Sequence, residues 1–143
     1  MIDPSPEGNR VSSRTLSLAV ILISVFFVAG FVRPVQIVGN HGPDTVWLWA
    51  WQEGRIEFIH SVTRQPVSIR FGIPWHFSRF SVSTDPGTEE YYTAGRYSWS
   101  EKLAKERTRT IECCSEVGIT LILGGRAFHE QGGCISVSLN WPP

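Results

Sequence analysis

RIEFIHSVTRQPVSIRF, residues 55–71, holds two runs of alternating side chains separated by a break. Successive side chains of a strand point to opposite faces, so Ile56 and Phe58 share one face while Arg55, Glu57 and Ile59 share the other. The alternation stops near His60 and restarts at Pro66, with Val67, Ile69 and Phe71 on one side and Ser68 and Arg70 on the other. That is the pattern of two half-exposed strands, and the intervening SVTRQ reads as a bend or a short hairpin connection.

The rest of the chain repeats the pattern. TVWLWAW, residues 45–51, puts Trp47, Trp49 and Trp51 on one face and Val46, Leu48 and Ala50 on the other, which predicts a strand covered on both sides. CISVSLNW, residues 134–141, alternates most regularly, with Ile135, Val137, Leu139 and Trp141 pointing one way. ITLIL before Gly124-Gly125 reads as a buried strand and a tight turn. Asp85-Pro86-Gly87 is a strong turn signal, and YYTAGRYSW, residues 91–99, reads as two short strand pieces around Gly95. SEKLAKER, residues 100–107, is the one stretch of the exported part with helical character, capped by Ser100. About seven strands with frequent turns define an all-β fold, an antiparallel sandwich or small barrel. The absence of alternating strand and helix periods argues against a nucleotide-binding α/β fold.

The first 40 residues differ from this. LSLAVILISVFFVAGFV, residues 16–32, carries neither charge nor proline, and Arg14 and Arg33 bracket it. At about 1.5 Å per residue such a helix just spans a hydrocarbon core of roughly 30 Å. A cleaved signal with Val28-Ala29-Gly30 as its site is the alternative, but Phe26, Phe27, Phe31 and Val32 carry the apolar run past that point, which favours a retained anchor. Arg10 and Arg14 precede the span, so a cytoplasmic N-terminus is expected. The organisation read from these features is a disordered cytoplasmic tail over residues 1–14, a transmembrane anchor over 15–33, a linker over 34–43 and an extracytoplasmic β domain over 44–143 of the cytoplasmic (inner) membrane.

Charge and cysteine content narrow the function classes. The 13 basic and 13 acidic residues cancel, so no overall field attracts nucleic acid. Cys113 and Cys114 are neighbours that point to opposite faces of a strand; three reduced cysteines are the expectation, with a bridge from one of that pair to Cys134 the alternative. His41, His60, His76 and His129 have no metal-ligand spacing, and neither a nucleophile elbow nor a P-loop occurs, so no metal, cofactor or catalytic residue is assigned and no enzyme activity is expected. His60-Ser61 has two readings. Adjacent side chains do not form a nucleophile–base pair, whereas Ser61 and Thr63 hydroxyls suit local bonds in a bend that His60 anchors through its ring. As binding residues, His60, Ser61, Arg64 and Arg70 are placed at the mouth of the sandwich or barrel, where they suit a small anionic or apolar ligand.

HSVTRQPV, residues 60–67, resembles the His-Ser-Val-(Glu)-x-x-Pro-Val signature of the bacterial domain-of-unknown-function family 1850. VGITLILGGRAF, residues 117–128, is similar to that family's strand, Gly-Gly turn and following strand, and GGCISVSL to its closing strand. Thr63 stands where the family has an acidic residue, and FSRFSVSTDPG replaces a glycine-richer stretch. The resemblance implies a small exported or membrane-tethered β domain, often encoded beside tripartite (TRAP-type) solute transporters. Its implied partners are the membrane, transporter subunits or an extracytoplasmic solute-binding protein.

Overall fold

The computed structural model describes residues 13–140. Most of the tail assigned to residues 1–14, and Trp141 of the last alternating run, lie outside the described residues. The chain divides into two compact units, one ending at Phe31 and one beginning at Val32. In the first, helix α1 spans Ser13–Phe31. It is apolar on all sides and long enough to cross a membrane, and it fits a signal sequence equally by length and composition.

Among the described residues, the second unit carries nine strands in two antiparallel sheets. The strands are β1 Val32–Gly39, β2 Gly42–Trp49, β3 Glu53–Ile59, β4 Pro66–Gly72, β5 Ser78–Ser83, β6 Thr110–Ser115, β7 Ile119–Leu123, β8 Arg126–Glu130 and β9 Gly133–Leu139. One sheet runs β2-β1-β9-β6 and the other β5-β4-β3-β7-β8. Two short helices, α2 Pro86–Thr93 and α3 Trp99–Ala104, follow β5. The fold is the sandwich expected from the alternation, with no closed barrel among the described residues and nine strands rather than about seven. Val35, Ile37, Leu48, Ile135 and Val137 from the first sheet are buried in the same cluster as Ile56, Phe71, Leu121 and Leu123 from the second. Rings of Phe77 and Phe80 pack on Phe71 at centroid separations of 5.3 and 6.0 Å.

Five expectations need correction. Residues 34–43 are not a linker: Val35 and Ile37 enter the core from β1, and the chain turns between Gly39 and Gly42 to form the β1–β2 hairpin. The domain therefore begins at Val32, directly after α1. β2 is covered on one face only; Val46 and Leu48 are buried, whereas Trp47 is 68% and Trp49 37% exposed. YYTAGRYSW forms no strand. Tyr91 and Tyr92 belong to α2, which Asp85 caps by accepting from the Thr88 backbone and which Pro86 starts at a position where a missing N–H costs nothing. Finally, Cys114 and Cys134, directly opposite on β6 and β9, form a disulfide, and only Cys113 is free. The helical stretch near residue 100 is present, but Ser98 caps it and Ser100 instead bonds the backbone of Val82.

Candidate functional site

The break at His60 is a built corner between β3 and β4. The backbone N–H of His60 donates to Gln65 O and that of Arg64 to His60 O, both at 2.9 Å. Arg64 takes a left-handed backbone (φ 57°) and points its exposed side chain to solvent, so its place in the motif is conformational. His60 is only 5% exposed, held edge-on by the rings of Tyr91 and Tyr92 at 4.8 and 5.1 Å.

A chain of side-chain contacts leaves the imidazole. Nδ1 lies 3.0 Å from Thr63 Oγ1, which lies 2.6 Å from Thr88 Oγ1, and Thr88 donates to Asp85 Oδ1. Asp85 accepts only, so the proton order runs from Thr63 to Thr88 to Asp85. Nδ1 then either donates to Thr63 Oγ1 or accepts from the Thr63 backbone N–H at 3.1 Å, according to its tautomer. Hydrogen bonds from Thr88 hold the Asp85 carboxyl below the usual range, against the opposing effect of its desolvation. The chain of contacts thus ends on a carboxylate, two hydroxyls away from the imidazole.

His60 Nε2 has no hydrogen-bond partner among the described residues and is not sealed from solvent. It borders a pocket of about 410 Å³ lined also by Ser61, Tyr91, Tyr92, Glu116 and the Cys114–Cys134 bridge. Burial raises the pKa of Tyr92, helped by nearby Cys113 and Tyr91, and burial alone raises that of Cys113. No hydrogen bond joins Ser61 to His60 among the described residues.

A larger groove, about 780 Å³, lies on the outward face of the five-stranded sheet. Its floor is a row of residues directly opposite one another, one from each strand: Ser83, Ser68, Glu57, Thr120 and His129. Thr120 Oγ1 meets His129 Nδ1 at 2.9 Å, and Glu57 pairs with Arg55 at 3.1 Å. Gln65, Asp85 and Gln131 extend the polar lining. The arrangement presents hydroxyls, a carboxylate and an imidazole on a rigid sheet, with apolar contacts from Val117 and Ile59, and suits hydrogen-bonded capture of a small polar molecule.

The four predicted binding residues do not meet at one mouth. His60 and Ser61 line the smaller pocket, Arg64 sits in the turn, and Arg70 is opposite Arg55 one row beyond the groove floor. Sequence reading missed Glu57, Ser68, Thr120 and His129 as a set. Period-two alternation marks Ser68 and Glu57 as outward, but their alignment with Thr120 and His129 depends on strand register. No protein-family model, curated protein or solved structure matches the chain.

Proposed function

We propose that the chain is a single-pass protein of the cytoplasmic membrane, tethered by α1, whose extracytoplasmic β-sandwich binds a small polar ligand without transforming it. The observation that carries this reading is the row of Ser83, Ser68, Glu57, Thr120 and His129 under the 780 Å³ groove. Hydroxyl and carboxylate groups fixed on strands suit a polyhydroxylated or amine-bearing solute, since both present several donors to a pre-arranged set of acceptors. The disulfide supports placement in an oxidising compartment. A thermal-shift screen of sugars, polyols and amino acids tests it. A ligand at about 100 times its Kd adds roughly 2.7 kcal/mol of stability, and Glu57→Gln with Thr120→Val should remove that gain and leave the ligand-free melting temperature in place. If these changes lower the ligand-free melting temperature and leave the gain intact, the row is structural.

A role beside a TRAP-type solute transporter is the accompanying proposal, supported by the family resemblance and by a tethered domain that would hold solute near a transporter. Affinity purification from membranes at native expression should then recover transporter subunits or a solute-binding protein, and recovery of the chain alone would count against that partner.

A further inference from the structure

Tryptophan is a costly side chain to leave in water, because each ring presents about 150–250 Å² of largely apolar surface. Yet Trp47, Trp49, Trp51 and Trp75 are 68%, 37%, 58% and 56% exposed. Their placement is not scattered. Trp49 is directly opposite Val32 and Trp47 opposite Pro34, and Trp51 stacks on Trp49 with centroids 4.9 Å apart. Further along the same outward sheet face the residues become polar, with Thr45, Gln36, Ser138 and Thr110 forming the next row. The apolar end is therefore the end at which the chain enters the domain.

Trp75 belongs to the same end through Arg33. That buried guanidinium donates to Pro74 O at 2.9 Å and lies 4.3 Å from the Trp75 ring centroid. Beyond Trp75 is a cleft of about 340 Å³ lined by His76, Arg79 and Arg107, with Glu106 the one acidic residue. An aromatic rim beside a cationic cleft is the chemistry that meets phospholipid headgroups.

We propose that Trp49, Trp51 and Trp75 seat in the headgroup region of the membrane, with the Arg79–Arg107 cleft facing lipid phosphate. The inference rests on the reading of α1 as a retained anchor. Whatever angle the helix makes, one peptide bond joins Phe31 to Val32, and an extended residue reaches at most about 3.6 Å. Val32 is thus at the end of the span, and its ladder partner Trp49 is one strand spacing, about 4.8 Å, away. A bilayer is the one surface this connection brings to the tryptophans without a second protein.

The test uses the full chain reconstituted in phosphatidylcholine vesicles with and without lipid brominated near the headgroup end of its acyl chains. Bromine should quench much of the wild-type tryptophan emission, and the Trp49→Phe/Trp51→Phe/Trp75→Phe variant should lose most of that quenching, while Trp99→Phe keeps it. Equal quenching in wild type and triple variant overturns the inference, as does protection from both bromolipid and acrylamide, which would mean that another protein or a second copy covers the rings. Carbonate extraction separates the two levels: a chain that resists extraction but is not quenched keeps its anchor and loses the docking, whereas a chain stripped from the vesicles loses both.

Discussion

Thr63→Val replaces a hydroxyl by a methyl of nearly the same shape, so its effect isolates the polar chain at the β3–β4 corner. Thr63 Oγ1 contacts His60 Nδ1 at 3.0 Å and Thr88 Oγ1 at 2.6 Å, and Thr88 is fully buried. Each intramolecular hydrogen bond contributes about 0.5–1.5 kcal/mol net, so two lost contacts amount to about 2 kcal/mol. Thr88 keeps its bond to Asp85, and a change of tautomer lets His60 Nδ1 accept from the Thr63 backbone N–H, so no buried donor is orphaned and the cost stays at this level. For a domain of about 100 residues, 2 kcal/mol lowers the melting temperature by roughly 10 °C. Thermal unfolding followed by circular dichroism measures this. Ser61→Ala, at an exposed position without such contacts, should stay within about 0.5 kcal/mol of wild type. A double-mutant cycle with Thr88→Val should return a coupling of at least about 0.5 kcal/mol. If Thr63→Val melts with wild type, or Ser61→Ala costs as much, the corner is not held as described.

Other perturbations test separate parts of the fold. Reducing Cys114–Cys134, which closes a loop of 20 residues, should remove about 3 kcal/mol, and Cys134→Ser should melt like the reduced protein and be insensitive to dithiothreitol. The depressed Asp85 carboxyl contributes stability that is complete above the unfolded pKa near 3.9 and fades as pH falls through the lower folded value; Asp85→Asn should flatten that part of an acid melting series. Gly54→Ala would drive a methyl into the buried Phe71 ring and Leu123, an overpacking cost of about 1–3 kcal/mol visible in urea midpoints. Arg64→Gly relieves the left-handed backbone, so it should leave stability unchanged or raise it by up to about 1 kcal/mol and leave ligand binding intact; lost binding would restore Arg64 to the site.

How far the sequence reaches is visible in particular residues. Ile56, Val67 and Leu121 announce the core because alternation reports which face of a strand is apolar, and the break at His60 reports a corner. Alternation does not report what covers a face: Trp47 and Trp49 carry the pattern of a doubly buried strand and stand in the open. Turn chemistry misleads in both directions. Gly39-Asn40 belongs to a hairpin inside the domain, and Asp85-Pro86 caps and starts a helix too short for its own period to show. The groove was illegible for a different reason. Glu57 and His129 are outward on their own strands, but two intervening registers decide that Thr120 lies between them, and register is a property of pairing.

The same pairing logic links the two cavities. His60 borders the smaller pocket, Asp85 lines the groove, and Thr63 and Thr88 connect them by hydrogen bonds. An active-site histidine needs its orienting partner on one nitrogen and a reacting atom at the other; here the orienting chain is present and Ser61 is not bonded to the ring. What the chain does achieve is positional. Asp85 caps α2, α2 carries Tyr91 and Tyr92 against His60, and His60 closes the turn that sets β3 against β4. The register of those two strands aligns Glu57 with Ser68 on the groove floor, so the His-Ser corner acts on that floor through strand alignment.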